Sequence, residues 1–202
     1  MDLFDNLNGK PINLLPKEGV VNYYDRLISA LDSYQYLERL LNNVLWENDQ
    51  VVIYGKRITT KRKMAWYGDK PYKYTYSNTT KTALPWIDDL VELKLLIEQQ
   101  TGETFNSCLL NLYNDGSEGM SWHCDSEKEL EKYSAIASLS LGAERKFSFK
   151  HKQDKDKVSL FLQSGSLLIM KGETQKNWLH SLPPTKTINS PRVNLTFRTI
   201  ID

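Results

Sequence analysis

From Thr104 onward this chain stops holding any helical spacing of apolar residues and breaks into short apolar or alternating runs. Eight can be delimited: Phe105–Tyr113, Gly119–Cys124, Ala135–Leu141, Lys146–His151, Val158–Leu162, Ser166–Lys171, Trp178–Leu182 and Arg192–Ile200. Asp115-Gly116, Gly142, Gly165, Gly172 and Pro183-Pro184 punctuate them, and such residues mark turns rather than the interiors of elements. Runs this short and this evenly spaced read as strands. A set of them that must bury one face each predicts a β-sandwich or jelly roll with its own interior.

The first half has another texture. Tyr24, Leu27, Ile28, Leu31, Tyr34, Leu37, Leu40 and Leu41 fall close to helical spacing, which predicts a helix over Tyr23 to Leu41. Pro85-Trp86-Ile87-Asp88-Asp89-Leu90 opens a second one, with proline in its first turn and Gly102 just past its end. The two helices are expected to buttress one sheet from outside. No internal repeat or low-complexity linker interrupts the 202 residues, so one domain is expected.

Nothing approaches the roughly 18 consecutive apolar residues that a membrane span needs, so no membrane association is expected. The opening Met1-Asp2-Leu3-Phe4-Asp5 lacks the basic and apolar stretches of a leader, and the two cysteines, Cys108 and Cys124, form no C-x-x-C pair. The expected compartment is the cytoplasm, or the nucleus of a eukaryote. In a reducing compartment the N-x-T tripeptides at Asn78 and Asn194 carry no glycan.

Net charge is only +1, but its placement matters more than its sum. Lys56, Arg57, Lys61, Arg62 and Lys63 cluster, and no acidic residue interrupts from Val51 to Gly68. Trp66, Tyr67, Tyr72, Tyr74 and Tyr76 follow. The last three alternate with Lys73 and Thr75, so three phenol rings are expected along one face. Cations for phosphates interleaved with rings for bases suit a nucleic-acid surface, and they equally suit a solvated hairpin whose tyrosines pack on its own core.

Three histidines occur, and two are candidates for chemistry. His123-Cys124-Asp125 is an H-x-D on an expected strand, where residues two apart share a face, and His180 lies on another strand. Two imidazoles and one carboxylate leave half an octahedron open, as non-haem iron oxygenases require. Alone the triplet is weak, because chance supplies one in roughly a fifth of chains of this composition. His151, inside Lys150-His151-Lys152-Gln153-Asp154-Lys155, reads as a solvated residue of a charged turn.

The last run is more demanding. Arg192-Val193-Asn194-Leu195-Thr196-Phe197-Arg198 alternates strictly, with Arg192, Asn194, Thr196 and Arg198 on one face and Val193, Leu195 and Phe197 on the other. An edge strand with a solvated face explains it in an arbitrary protein. Inside a jelly roll the same face would demand an anionic ligand, since unpaired buried charge is costly. Asn111 and Tyr113, also two apart, offer further hydrogen bonds to that ligand.

Taken together these residues resemble the AlkB family of 2-oxoglutarate dioxygenases, particularly its DNA-repair homologues. The similarity runs from about Ile53 to Ile200 through Ile53-Tyr54-Gly55-Lys56, Trp66-Tyr67-Gly68-Asp69, Tyr74-Thr75-Tyr76-Ser77, Asn111-Leu112-Tyr113, Trp122-His123-Cys124-Asp125, Ile136 to Gly142, Gly165 to Met170 and Pro191 to Arg198. It implies a mainly β, α+β fold: a double-stranded β-helix core over about 104–202, preceded over about 1–100 by helices and a nucleotide-recognition lid. It implies that His123, Asp125 and His180 hold Fe(II) and carry catalysis. Arg192, Tyr113 and Asn194 would receive the distal carboxylate of 2-oxoglutarate, with Arg198 and Asn111 towards its chelating end. Tyr76 matches the ring that stacks on the damaged base, Tyr74 belongs to the same motif, and Glu127 matches an acidic position facing that base. Tyr54 falls where homologues probe the duplex, and Arg62 lies on the strand-handling side. One departure is Ser126, since close homologues often carry two acidic residues where this chain has Ser126-Glu127.

The implied reaction is oxidative demethylation of N1-methyladenine and N3-methylcytosine. It consumes O₂ and 2-oxoglutarate and releases formaldehyde, succinate and CO₂. The implied partner is alkylated DNA, single- or double-stranded, with RNA as a second substrate class, and a monomer is expected. RNA demethylation, protein hydroxylation on the same fold, and a non-catalytic nucleic-acid-binding jelly roll stay open as alternatives.

Overall fold

A computed structural model describes residues 11–53, 56–76 and 79–201, with the side chains of 49–58 and 74–80 outside that description. In chain order the elements are β1 Val20–Tyr24, α1 Ala30–Asn43, β2 Glu47–Ile53, β3 Lys56–Gly68, β4 Lys73–Tyr76, β5 Thr79–Thr82, β6 Leu84–Pro85 and α2 Asp88–Thr101. They continue with β7 Ser107–Tyr113, β8 Met120–His123, β9 Ile136–Gly142, β10 Arg145–His151, β11 Lys157–Leu162 and β12 Leu167–Lys171. The one-turn helix α3 Thr174–Asn177, β13 Trp178–Leu182 and β14 Arg192–Arg198 complete the chain. Among the described residues no helix is long and apolar enough to cross a membrane.

All eight runs expected after Thr104 are strands, with ends shifted by one or two residues. They form two sheets. The major sheet runs β1-β12-β9-β14-β7-β3-β2 with β6 beside β3, and the minor sheet runs β11-β10-β13-β8. Among the described residues every pairing is antiparallel except β3 with β6.

Period two explains how the sheets are filled. From the major sheet, Leu110 and Leu112, Ala137 and Leu139, and Val193, Leu195 and Phe197 face one core together with Leu37, Leu40, Leu90, Leu93 and Ile97 of the helices. From the same sheet, Val21, Tyr23, Tyr113, Ile136, Leu168 and Met170 face a second core, where they meet Phe147, Phe149, Trp178 and Leu182 of the minor sheet. The helices therefore cover one face of the major sheet and the minor sheet covers the other, the two-sheet arrangement expected of a jelly roll.

Several details differ from the sequence reading. The first helix begins at Ala30 rather than Tyr23. Val20–Tyr24 instead pairs with β12, with Val21 and Tyr23 buried in strand alternation. The amides of Leu27 and Ile28 both donate to the Gly165 carbonyl, and the Ser29 hydroxyl then caps Asp32 N. The second helix begins at Asp88, because Pro85 is committed to β6 beside Gly68. Its end is as expected, with Gly102 at φ 72° in the left-handed region that glycine tolerates.

His151 is not solvated. It is 1% exposed, its Nε2 lies 2.8 Å from Glu18 Oε2, and its ring meets Trp178 edge-on at 4.9 Å. The N-terminal segment folds over the turn that the sequence presents as exposed. Of the three tyrosines expected along one face, Tyr72 precedes β4 and is buried against Gly68, while the side chains of Tyr74 and Tyr76 lie outside the described residues. Tyr67 is buried in the helix-side core.

Candidate active site

Between the sheets lies a cavity of about 360 Å³ lined by residues of both. Three local facts build its donor end. His123 and His180 are Cα partners across β8 and β13, which brings their rings to 4.2 Å between centroids. Strand β8 ends at His123, so Asp125 stands in the loop beyond. There its amide donates to Gln175 Oε1 at 2.9 Å and its Oδ2 accepts from Arg198 Nη2 at 2.6 Å. That leaves Asp125 Oδ1 facing inward, 3.7 Å from His123 Nε2 and 3.7 Å from His180 Nε2.

These contacts are too long for hydrogen bonds. They lie just beyond the roughly 3–3.6 Å that separates ligand atoms about 2.1 Å from one metal, so a small closure brings the donors onto a shared ion. One candidate ligand atom from each residue falls within 4.8 Å of the others.

Electrostatics prepare the same set. Burial alone would raise the Asp125 carboxyl, but Arg198 foremost, then His180 and His123, hold it down to about 2. Burial pushes His180 down to about 4, so its imidazole is neutral and available as a ligand. His123 Nδ1 lies 2.8 Å from the Ser121 carbonyl. A carbonyl only accepts, so the proton sits on Nδ1 and Nε2 presents its lone pair.

The opposite end of β14 is cationic. Arg192 is 2% exposed and donates to Ser140 Oγ at 2.9 Å, while its Nε has no partner. No described carboxylate lies within 4.0 Å of it, and burial pushes it down to about 10. Its Cζ stands 5.5 Å over the Tyr113 ring, its Cα partner across β7. Asn194, Cα partner of Asn111, donates to Ser138 Oγ and the Leu139 carbonyl. A buried guanidinium with an orphan N–H fits a carboxylate ligand. The donor chemistry thus fits a divalent metal at one end and an organic acid at the other.

The structure brings Arg62, Asn111, Tyr113, His123, Asp125, Glu127, His180, Arg192, Asn194 and Arg198 to this one cavity. Glu127 Oε2 is buried without a partner, and burial, reinforced by Asp125, raises its carboxyl. Arg62 Nη1 reaches Met120 Sδ at 3.6 Å. Tyr54 lies outside the described residues, and of Tyr74 and Tyr76 only the backbone in β4 is described.

Sequence reasoning missed Ser138 and Ser140, although their spacing of two inside the apolar run Ile136–Leu141 was a readable signal. It also missed Met64, Met120, Phe147 and Met170, ordinary apolar residues with nothing in the sequence to distinguish them from core.

Residues 19–198 match the model of a protein family described as the 2OG-Fe(II) oxygenase superfamily. The human protein named DNA oxidative demethylase ALKBH2 is 41% identical over 180 residues, which cover 85% of this chain and 69% of that one. Human alpha-ketoglutarate-dependent dioxygenase alkB homolog 3 is 38% identical over 187 residues, covering 88% of this chain and 65% of the relative. The chain thus spans about two thirds of the length of these relatives. Among solved structures, one titled "The structure of OsALKBH1" superposes with a TM-score of 0.64 at 16% identity, covering 89% of this chain and 97% of that one. That likeness concerns the fold alone.

Proposed function

The chain belongs to the 2OG-Fe(II) oxygenase superfamily, and from that membership we propose that it removes methyl groups from the base-pairing edge of alkylated bases in DNA. It is a dioxygenase, with Fe(II) as cofactor and 2-oxoglutarate and O₂ as co-substrates. The whole chain serves as one catalytic domain. The observation that carries the substrate reading is Glu127, a buried carboxylate oxygen without a partner in the cavity wall beside the donor triad.

His123 Nε2, Asp125 Oδ1 and His180 Nε2 are the atoms that would hold iron. Iron so held supplies, with O₂ and 2-oxoglutarate, the oxidation that hydroxylates an N-methyl carbon and yields succinate and CO₂. The protein's own part is positional. Arg198 engages one oxygen of Asp125 and leaves the other for the metal. Arg192, with Tyr113 and Asn194, receives the distal carboxylate of 2-oxoglutarate, and Asn111 lies on the same wall. Burial keeps water from competing for Arg192.

N1-methyladenine and N3-methylcytosine are cations, and Glu127 favours them over neutral bases. The hydroxymethyl group leaves as formaldehyde and restores the base. Because the target sits within the pairing edge, the base enters unpaired or flipped out. Arg62 at the cavity rim and the basic run from Lys56 to Lys63 meet the phosphates, and Tyr54, Tyr74 and Tyr76 handle the base and its neighbours. The enzyme acts as a monomer in the compartment that holds DNA.

Matched single- and double-stranded DNA and RNA oligonucleotides, each carrying one N1-methyladenine, test the substrate. Formaldehyde release is expected from DNA. Turnover of RNA alone would replace the DNA reading, and turnover of neither, with 2-oxoglutarate still bound, would point to protein hydroxylation.

A further inference from the structure

Arg145 opens β10 in the minor sheet and faces inward, two residues before Phe147. It is 1% exposed, yet it is not among the residues lining the cavity. Its guanidinium donates to four backbone carbonyls: Asp115 at 3.3 Å, Gly116 at 3.2 Å, Glu118 at 2.8 Å and Pro183 at 3.0 Å. The first three belong to the turn that follows β7, and the fourth follows β13.

The same guanidinium carbon stands 5.9 Å over the ring of Tyr113, over which Arg192 also stands at 5.5 Å. Arg145 therefore reaches across from the minor sheet and fixes both the ring of Tyr113 and the turn that Tyr113 leads into. A lysine in its place keeps the charge but loses the planar fork that serves several carbonyls at once.

We propose that Arg145 is a positioning residue for the co-substrate: by clasping the 115–118 turn and Pro183 it holds Tyr113 where Tyr113 and Arg192 together select a ligand with a distal carboxylate. The proposal rests on the assignment of Arg192 and Tyr113 to that carboxylate. It involves no bond-making step by Arg145 itself. Its consequence is selectivity. Loss of Arg145 weakens 2-oxoglutarate without weakening 2-oxopentanoate, which has the same carbon count and no distal carboxylate.

The test uses calorimetric titration of the anaerobic Mn(II)-loaded protein with each of the two acids, alongside KM and kcat of the iron enzyme. Arg145→Gln is expected to weaken 2-oxoglutarate roughly 10-fold, as for other residues that orient a site from behind. Binding of 2-oxopentanoate and kcat at saturating 2-oxoglutarate are expected to stay within about twofold, and Arg145→Lys is expected to fall between.

Circular dichroism and the urea midpoint establish that each variant is folded. Should Arg145→Gln not fold, Arg145→Lys and Tyr113→Phe are measured the same way. Equal weakening of both acids, or none of either, overturns the positioning role. Arg192→Met serves as the control for the underlying assignment. If it leaves 2-oxoglutarate binding unchanged, the assignment of the carboxylate site fails. If it abolishes binding while the Arg145 variants bind as wild type, only the present inference fails.

Discussion

Burying a guanidinium with no carboxylate beside it is costly, and in the free protein Arg192 bears that cost. Arg192→Met is therefore expected to have a urea midpoint at or above that of wild type while raising the 2-oxoglutarate KM at least tenfold. A variant that is destabilised but keeps its KM would show the arginine to be structural.

His180 gives the sign of a pH effect in the metal-free protein. Its folded value of about 4 lies below the ordinary 6.5, so between those values the unfolded chain binds the proton and the folded one resists it. The contribution is complete above pH 6.5 and is lost as pH falls towards 4. It amounts to something on the order of 3 kcal/mol. Denaturant titrations of the metal-free protein at pH 7 and pH 5 check this, with His180→Gln flattening the difference. Equal midpoints for the wild type would contradict it.

At this scale the sequence was informative where a rule of strand geometry acts on polar residues. Arg192, Asn194, Thr196 and Arg198 had to share a face, and they do. His151 was not legible, because its burial depends on Glu18 and Trp178, distant in sequence and joined to it only by the fold.

Strand β14 carries two jobs on two faces. Val193, Leu195 and Phe197 are fully buried against the helices, whereas Arg192, Asn194, Thr196 and Arg198 line the cavity. Leu195→Ala should cost about 2–5 kcal/mol of stability and leave the 2-oxoglutarate requirement unchanged. Asn194→Ala should do the reverse. Chemical denaturation paired with 2-oxoglutarate kinetics separates them, and a mixed phenotype in both would deny the division of faces.

The start of α1 offers a second check. Ser29→Ala removes the hydroxyl that accepts from Asp32 N, at an expected cost of about 1 kcal/mol. Before that cap the helical spacing of Tyr24, Leu27 and Ile28 was coincidental: Tyr24 ends β1, and Leu27 and Ile28 lie in the turn held by the Gly165 carbonyl. Strand β3 escaped the sequence reading for another reason. Met64 and Trp66 line the cavity while Ala65 and Tyr67 enter the helix-side core, so both faces are apolar and no alternation shows.

For the molecule as a whole, the turn residues of the second half were enough to divide it into strands. Gly142 illustrates how hard such a turn is to replace: it sits at φ 88°, and a Cβ there would lie 2.4 Å from the Pro191 carbonyl. What the second half could not disclose is that its sheet is extended by β1 on one edge and by β3 and β2 on the other. The joining pairs are distant in sequence, Val20 with Lys171 on one edge and Gly68 with Ser107 on the other, and no local pattern encodes them.

The result is a cavity whose two ends are prepared by different means: a triad held by strand pairing and Arg198, and a cation held by burial. The most direct measurement is the mass of a single-stranded DNA oligonucleotide carrying one N1-methyladenine, after incubation with the protein, Fe(II), O₂ and 2-oxoglutarate. The account predicts loss of one methylene unit, with one formaldehyde and one succinate per oligonucleotide, and no loss when iron or 2-oxoglutarate is omitted or His180 is alanine. An unchanged oligonucleotide under complete conditions, or demethylation that persists without 2-oxoglutarate, would contradict it.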